Sequence, residues 1–287
     1  MSKQVPTRPD TPIIRHGLDL HGTHLSYLQA GPVSGPPVVL IHGLGWDAAR
    51  LWSGQITRLA ADGWRVLAPD LRGNGGSSPI RASLRVPDLA DDVAAMLRSL
   101  ATTRPVLVGF SMGGMVATDL ALRPGLDAAG LMIACGGVTC PPQAEIAVDA
   151  MLKRAAELGP QTFAAEQADA IFAPHWADSN PDAVAAFKVW RAEMDQDSLA
   201  HSFRAPYGCD YAHRLSELSC PVAVVAAAED SFVDVAAARK LAGAIPGATF
   251  DMIPACGHMA PIEAPDAFAA TLTGFLARVA PQTEGHA

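Results

Sequence analysis

A serine set between glycines offers the first chemistry in this chain. The pentapeptide Gly109-Phe110-Ser111-Met112-Gly113 follows the apolar run Pro105-Val106-Leu107-Val108. A buried strand that turns sharply into a helix leaves no room for side chains at its flanks. Glycine at 109 and 113 meets that demand, and the turn lifts the serine hydroxyl out of the sheet. The helix that follows directs its N-terminal N–H groups at the same spot, where attack on a carbonyl would develop negative charge. An isolated serine is a weak nucleophile, so it needs a base, and the base needs an orienting carboxylate.

Both are available downstream. Pro221-Val222-Ala223-Val224-Val225-Ala226-Ala227 reads as a buried strand ending in Ala228-Glu229-Asp230-Ser231-Phe232-Val233-Asp234. The C-terminal ends of parallel strands are where α/β sheets assemble sites. Three carboxylates compete there. Glu229 would point away from Asp230 in an extended segment, and Asp234 suits a helix N-cap, so Asp230 is the favoured acid. A short strand over 248–253 then runs into Pro254-Ala255-Cys256-Gly257-His258-Met259, which sets His258 in a loop as the candidate base. Cys256 reads as a small apolar residue shaping that loop. His42 reads as a structural hydrogen-bonding residue, and His175, His201 and His213 as surface residues. Neither an H-E-x-x-H pair nor a G-x-x-x-x-G-K-[ST] loop occurs, so no metal and no cofactor are expected.

Several motifs in this order resemble the α/β-hydrolase superfamily over roughly residues 36–280. The strand Val38-Val39-Leu40-Ile41 leads into His42-Gly43-Leu44-Gly45, and Asp70-Leu71-Arg72-Gly73-Asn74-Gly75-Gly76-Ser77 is similar to the family's D-x-R-G-x-G-x-S turn. Gly257-His258-Met259-Ala260-Pro261-x-Glu263-x-Pro265 is also typical. Asn74 departs from the histidine or tyrosine often found there, and Ala227 from the glycine often preceding the acid. The order serine, aspartate, histidine matches the family's triad. The resemblance implies Ser111, Asp230 and His258 as catalytic residues, with the backbone N–H groups of Leu44 and Met112 as the oxyanion hole. It also implies cofactor-free cleavage of a carboxylic ester or lactone. Carbon–carbon hydrolases of vinylogous diketones, enol-lactonases and metal-free perhydrolases share these motifs. So does the possibility of a non-hydrolytic receptor or biosynthetic scaffold, since fold alone does not fix function.

The elements that must position these residues alternate along the chain. A hairpin is expected over 13–30, then strands at 38–41, 65–68, 106–110 and 131–135, with helices at 52–62, 87–100 and 112–122. This alternation predicts an α/β fold, a mostly parallel sheet with helices on both faces. From 138 to 215 the pattern turns helical (144–158, 161–172, 182–195, 198–205), and the resemblance makes this a cap. The organisation is thus a loose tail at 1–12, a core over 13–137 and 216–280, a helical cap over 138–215, and a tail at 281–287. Most cap aromatics should pack between helices. Trp46, Phe110, Trp176, Trp190 and Met259 are the candidates for the substrate pocket, which favours a small acyl substrate with apolar parts. Arg50 and Arg191 are alternatives for holding a substrate carboxylate, although an exposed arginine is the default reading.

Composition narrows the classes. Among 287 residues, 49% are hydrophobic and 17% charged, which suits a substantial core and excludes a disordered chain. A formal charge of −8 argues against nucleic acid as a partner. No apolar run reaches membrane-span length, and the N-terminal segment lacks the apolar stretch of a secretory signal. Five cysteines without a C-x-x-C pair suit a reducing compartment, so a cytoplasmic location is the expectation.

Overall fold

The computed structural model describes residues 12–20 and 22–279. The expected tails, apart from Pro12, lie outside the described residues, as does His21 of the hairpin turn. In chain order the elements are β1 (Ile14–Leu20), β2 (Thr23–Ala30), β3 (Pro37–Ile41), α1 (Ala48–Ala61), β4 (Arg65–Pro69), α2 (Val86–Ser99), β5 (Val106–Phe110), α3 (Met112–Ala121) and β6 (Gly130–Ala134). Then come α4 (Pro142–Leu158), α5 (Pro160–Ile171), α6 (Pro174–Ser179), α7 (Pro181–Glu193), α8 (Gln196–Arg204), a 3-10 turn (Ala212–Glu217), β7 (Val222–Ala227), α9 (Val235–Ala244), β8 (Thr249–Ile253), α10 (Ala260–Glu263) and α11 (Pro265–Val279).

The strands form one sheet in the order β1-β2-β4-β3-β5-β6-β7-β8. Among the described strands of this sheet, only the β1–β2 and β2–β4 pairings are antiparallel. Side chains of the central strands divide between two apolar layers. Val39 and Ile41 of β3 enter one, Val38 and Leu40 the other, and β7 divides in the same way. Strands buried on both faces need helices on both. Helices α2, α3 and α9 supply the first layer; α1 and α11 supply the second. This is the predicted α/β architecture.

Chain order reverses between β3 and β5: β4 lies on one side of β3, while β5 lies on the other. Ligands of open α/β sheets bind at such a switch point, beyond the strand C-termini. The two segments leaving it are His42-Gly43-Leu44-Gly45 and Ser111-Met112. Beneath them, Trp52 of α1 meets Phe110 edge-on at 6.4 Å and Phe268 of α11 at 5.8 Å. All three are at most 1% exposed. Side chains of this kind each contribute about 1.5–3 kcal/mol on burial, so the floor of the switch point is firmly packed.

Element boundaries differ from expectation at the caps. Helix α1 starts at Ala48 rather than near 52, because Asp47 accepts from Arg50 N and caps it. Between β6 and β7 the named elements are all helical, and the single bridge Thr139↔Asp210 closes the base of the insertion. Prolines at the first turns of α4 to α7 mark their starts. Helix α6 was not expected; at six residues it is too short to show a period. Among the described residues no helix is long and apolar enough to cross a membrane.

Candidate active site

Ser111 occupies a backbone conformation that L-residues rarely adopt, with φ 53° and ψ −123°. The surroundings enforce it. Ser111 N donates to Ala134 O at 2.9 Å, and Gly114 N donates to Ser111 O at 2.9 Å. A Cβ on Gly109 would come within 2.1 Å of Gly113 O, and one on Gly113 within 2.3 Å of Ile41 O. The backbones of β5, α3 and β3 therefore touch, and the serine between them is left half-exposed.

His258 Nε2 lies 3.2 Å from Ser111 Oγ, while His258 Nδ1 lies 2.9 and 3.0 Å from the two oxygens of Asp230. The Asp230 side chain is fully buried, and Oδ1 also accepts from the N–H groups of Phe232 and Val233. A buried carboxylate beside Nδ1 favours the tautomer with hydrogen on Nδ1, which leaves Nε2 to accept from the serine. The competing carboxylates are occupied elsewhere. Glu229 lies 3.3 Å from His175, and Asp234 accepts from Ala236 N as the cap of α9.

The loop carrying His258 is held by Glu263, a residue of the Gly257–Pro265 motif whose role only the folded chain discloses. Its carboxylate accepts from Gly257 N and Met259 N at 2.9 Å, and from Ala173 N at 3.0 Å. It thus grips both neighbours of His258 and the chain just before α6. Glu263→Ala should leave these three N–H groups unsatisfied at a cost of about 1–3 kcal/mol each at most. The expected result is a lower urea midpoint together with a reduced kcat; an unchanged midpoint would show that the loop holds itself.

The loop after β3 approaches the serine closely. A Cβ on Gly43 would come within 2.9 Å of Ser111 Cβ, so only glycine fits there. Among the described residues none accepts from Leu44 N. His42 braces the loop: Nδ1 is 2.8 Å from Gly43 O, and Nε2 accepts from Leu71 N at 2.8 Å. Complete burial pushes its pKa below the ordinary value, so it serves as a neutral brace. Behind it, burial raises the Asp70 carboxyl, but donors from Gly76 N, Ala48 N and Arg15 outweigh burial and hold it below its ordinary value. Asn74 donates to Leu71 O and Arg72 O in the same turn.

The alpha/beta hydrolase family profile matches residues 38–271, most of the chain. The chain belongs to the alpha/beta hydrolase family. Relatives of this hydrolase include a protein from Variovorax paradoxus named putative carbamate hydrolase RutD. It is 32% identical over 263 residues, 89% of this chain and 97% of the relative. A thermophilic esterase from Thermogutta terrifontis, solved with malate bound, superposes with a TM-score of 0.83. It is 27% identical, over 93% of this chain and 99% of the esterase. Est816, described as an N-acyl homoserine lactone degrading enzyme, superposes with a TM-score of 0.76 at 27% identity, over 91% of this chain and all of Est816.

The pocket candidates of this hydrolase separate into two groups. Trp46 packs on Phe187 (5.5 Å between ring centres) and Trp190 (5.2 Å), and Trp176 stacks on Phe172 (4.9 Å). These form one aromatic cluster joining the loop after β3 to the insertion. Phe110 and Met259 do not face open space: at 1% and 0% exposure both are core residues, Phe110 packing 5.1 Å from the His258 ring. Alternation explains Phe110, since the strand face that carries it points into the layer under α1; Met259 enters the same layer at the start of α10. Phe232, exposed and 5.0 Å from the His258 ring, was passed over in the sequence. Its place two residues after Asp230 was the available signal.

Of the two arginines, Arg50 is exposed, in line with its default reading. Arg50 pairs with Asp47. Arg191 is not an exposed residue; it is 3% exposed, with its Cζ 5.0 Å from the Phe187 ring and 5.3 Å from that of Trp190. The four-residue spacing from Phe187 was the missed signal, because it sets both on one helix face. Cys256 is buried, and burial pushes its thiol up to about 12, in keeping with a shaping role. Among the described residues no group of three His, Cys, Asp or Glu side chains is arranged to hold a metal.

Proposed function

We propose that this hydrolase cleaves a carboxylic ester or lactone through an acyl-enzyme on Ser111. The observation that carries this reading is the continuous relay from Ser111 Oγ through His258 to buried Asp230. His258 accepts the serine proton as Oγ attacks the acyl carbon, and Asp230 stabilises the imidazolium that forms. The oxyanion turns toward the N–H groups of Leu44 and Met112. A single donor of this kind is worth about 3–4 kcal/mol in related chemistry, which accounts for a loop built around Gly43 and braced by His42. His258 returns the proton to the leaving oxygen. It then takes one from water as that water attacks the acyl carbon, and passes it to Ser111 Oγ as the acid leaves.

The insertion serves as a cap. Three links support this: Ser231 Oγ donates to Ala170 O at 2.6 Å, Ala173 N donates to Glu263, and His175 faces Glu229. Two tie the insertion to the loop carrying Asp230, and the other ties it to the carboxylate that holds the loop carrying His258. Covering the serine excludes water and shapes the acyl pocket. The esterase and lactone-degrading neighbours are consistent with this substrate class.

A second reading has a specific observation in its favour. The relative at 32% identity is named a carbamate hydrolase. A carbamate carbonyl undergoes the same addition, slowed by donation from its nitrogen. Phenyl acetate, an N-acyl homoserine lactone and phenyl carbamate presented to the purified protein separate the readings. Saturable turnover of the ester or lactone well above that of the carbamate is expected; turnover of the carbamate alone would transfer the assignment. Turnover of none would favour a receptor or scaffold.

A further inference from the structure

Among the described residues Arg191 is a buried cation with no anionic partner. Among the described residues neither Nε nor Nη1 finds a hydrogen-bond acceptor. Buried carboxylates among the described residues are matched: Asp47 with Arg50, Asp70 with Arg15, and Asp92 with Arg72 at 2.8 Å. Ring faces of Phe187 and Trp190 offset only part of the desolvation of a guanidinium. Burial alone pulls its pKa down to about 9, so the group still carries its charge near neutrality.

Its location is specific. Gly45 has φ +58°, and a Cβ there would come within 2.1 Å of Arg191 Nη1 and 2.8 Å of Leu199 Cδ1. The guanidinium therefore rests on the loop whose Gly43 abuts Ser111. Around it stand Trp46, Phe187, Trp190 and Leu199, an apolar wall that strengthens any ion pair made inside it. One planar fork with a single charge matches one carboxylate bidentately. A phosphate dianion would need a second cation, and the nearby Arg50 is held by Asp47.

We propose that Arg191 is the anchor of a carboxylate-binding subsite, so that the substrate of this hydrolase carries a free carboxylate on the same molecule as its scissile carbonyl. The inference rests on the serine-hydrolase reading for the position of that carbonyl, but carboxylate binding itself is testable without turnover.

The test titrates the Ser111→Ala protein with succinate, with neutral succinamide and with inorganic phosphate, by calorimetry and thermal unfolding. Succinate should bind and raise Tm, with succinamide and phosphate each weaker by roughly tenfold or more. Adding Arg191→Met should weaken succinate by a similar factor, and Arg191→Lys should fall between. Succinate should also slow labelling of Ser111 by a fluorophosphonate in the wild-type protein. Equal succinate binding with Met at 191, succinamide binding as tightly as succinate, or tighter binding of phosphate would each overturn the proposal. Should Arg191→Met fail to fold by circular dichroism, Arg191→Lys decides: unchanged succinate affinity there contradicts a bidentate subsite. A protein that binds succinate through Arg191 yet turns over no ester would retain this subsite while losing the proposed reaction.

Discussion

Ser111→Ala should abolish acyl turnover, lowering kcat by about a million-fold, as loss of a nucleophile does in related serine chemistry. The Ser111 side chain makes one hydrogen bond, to His258, and its strained backbone is imposed by Gly109, Gly113 and the Ala134 carbonyl rather than by its hydroxyl. Alanine fits the same backbone, so stability should change by no more than about 1 kcal/mol. Steady-state kinetics beside urea denaturation checks both parts. Residual turnover within tenfold of wild type, in a folded variant, would move the nucleophile elsewhere.

Asp230→Asn should lower kcat by about 10⁴-fold. An amide in place of the carboxylate presents an N–H₂ group to His258 Nδ1. That favours the tautomer protonated on Nε2, which no longer accepts the serine proton. Asp230 also accepts from Phe232 N and Val233 N, and the amide oxygen keeps that part of the loop. Asp234→Asn is the matched control. It sits four residues on, caps α9, and asparagine caps nearly as well, so rate and stability should barely move. The reverse ranking of the two variants would reassign the acid.

Much of this arrangement was legible from the sequence because it depends on short-range constraints. Glycines at 109 and 113 announce a turn that admits no side chain, and apolar runs of strand length before Ser111 and Glu229 mark buried parallel strands. What the sequence did not yield depends on contacts between distant segments. The burial of Arg191 requires helices α7 and α8 to close over Gly45, and Glu263 acts across its own turn and the chain ahead of α6. Met259 and Phe110 were read as pocket residues from their neighbours in sequence, whereas the alternation of β5 turns Phe110 into the core and the start of α10 buries Met259. Helix α6 lacked the length to show a period, and the start of α1 was set by the Asp47 cap.

The most direct test of the central claim is the intact mass of the protein after exposure to a fluorophosphonate, followed by peptide mapping. One adduct is expected, on Ser111, lost in Ser111→Ala and greatly slowed in Asp230→Asn. A folded wild-type protein that stays unlabelled, or one labelled at another serine, would contradict that claim.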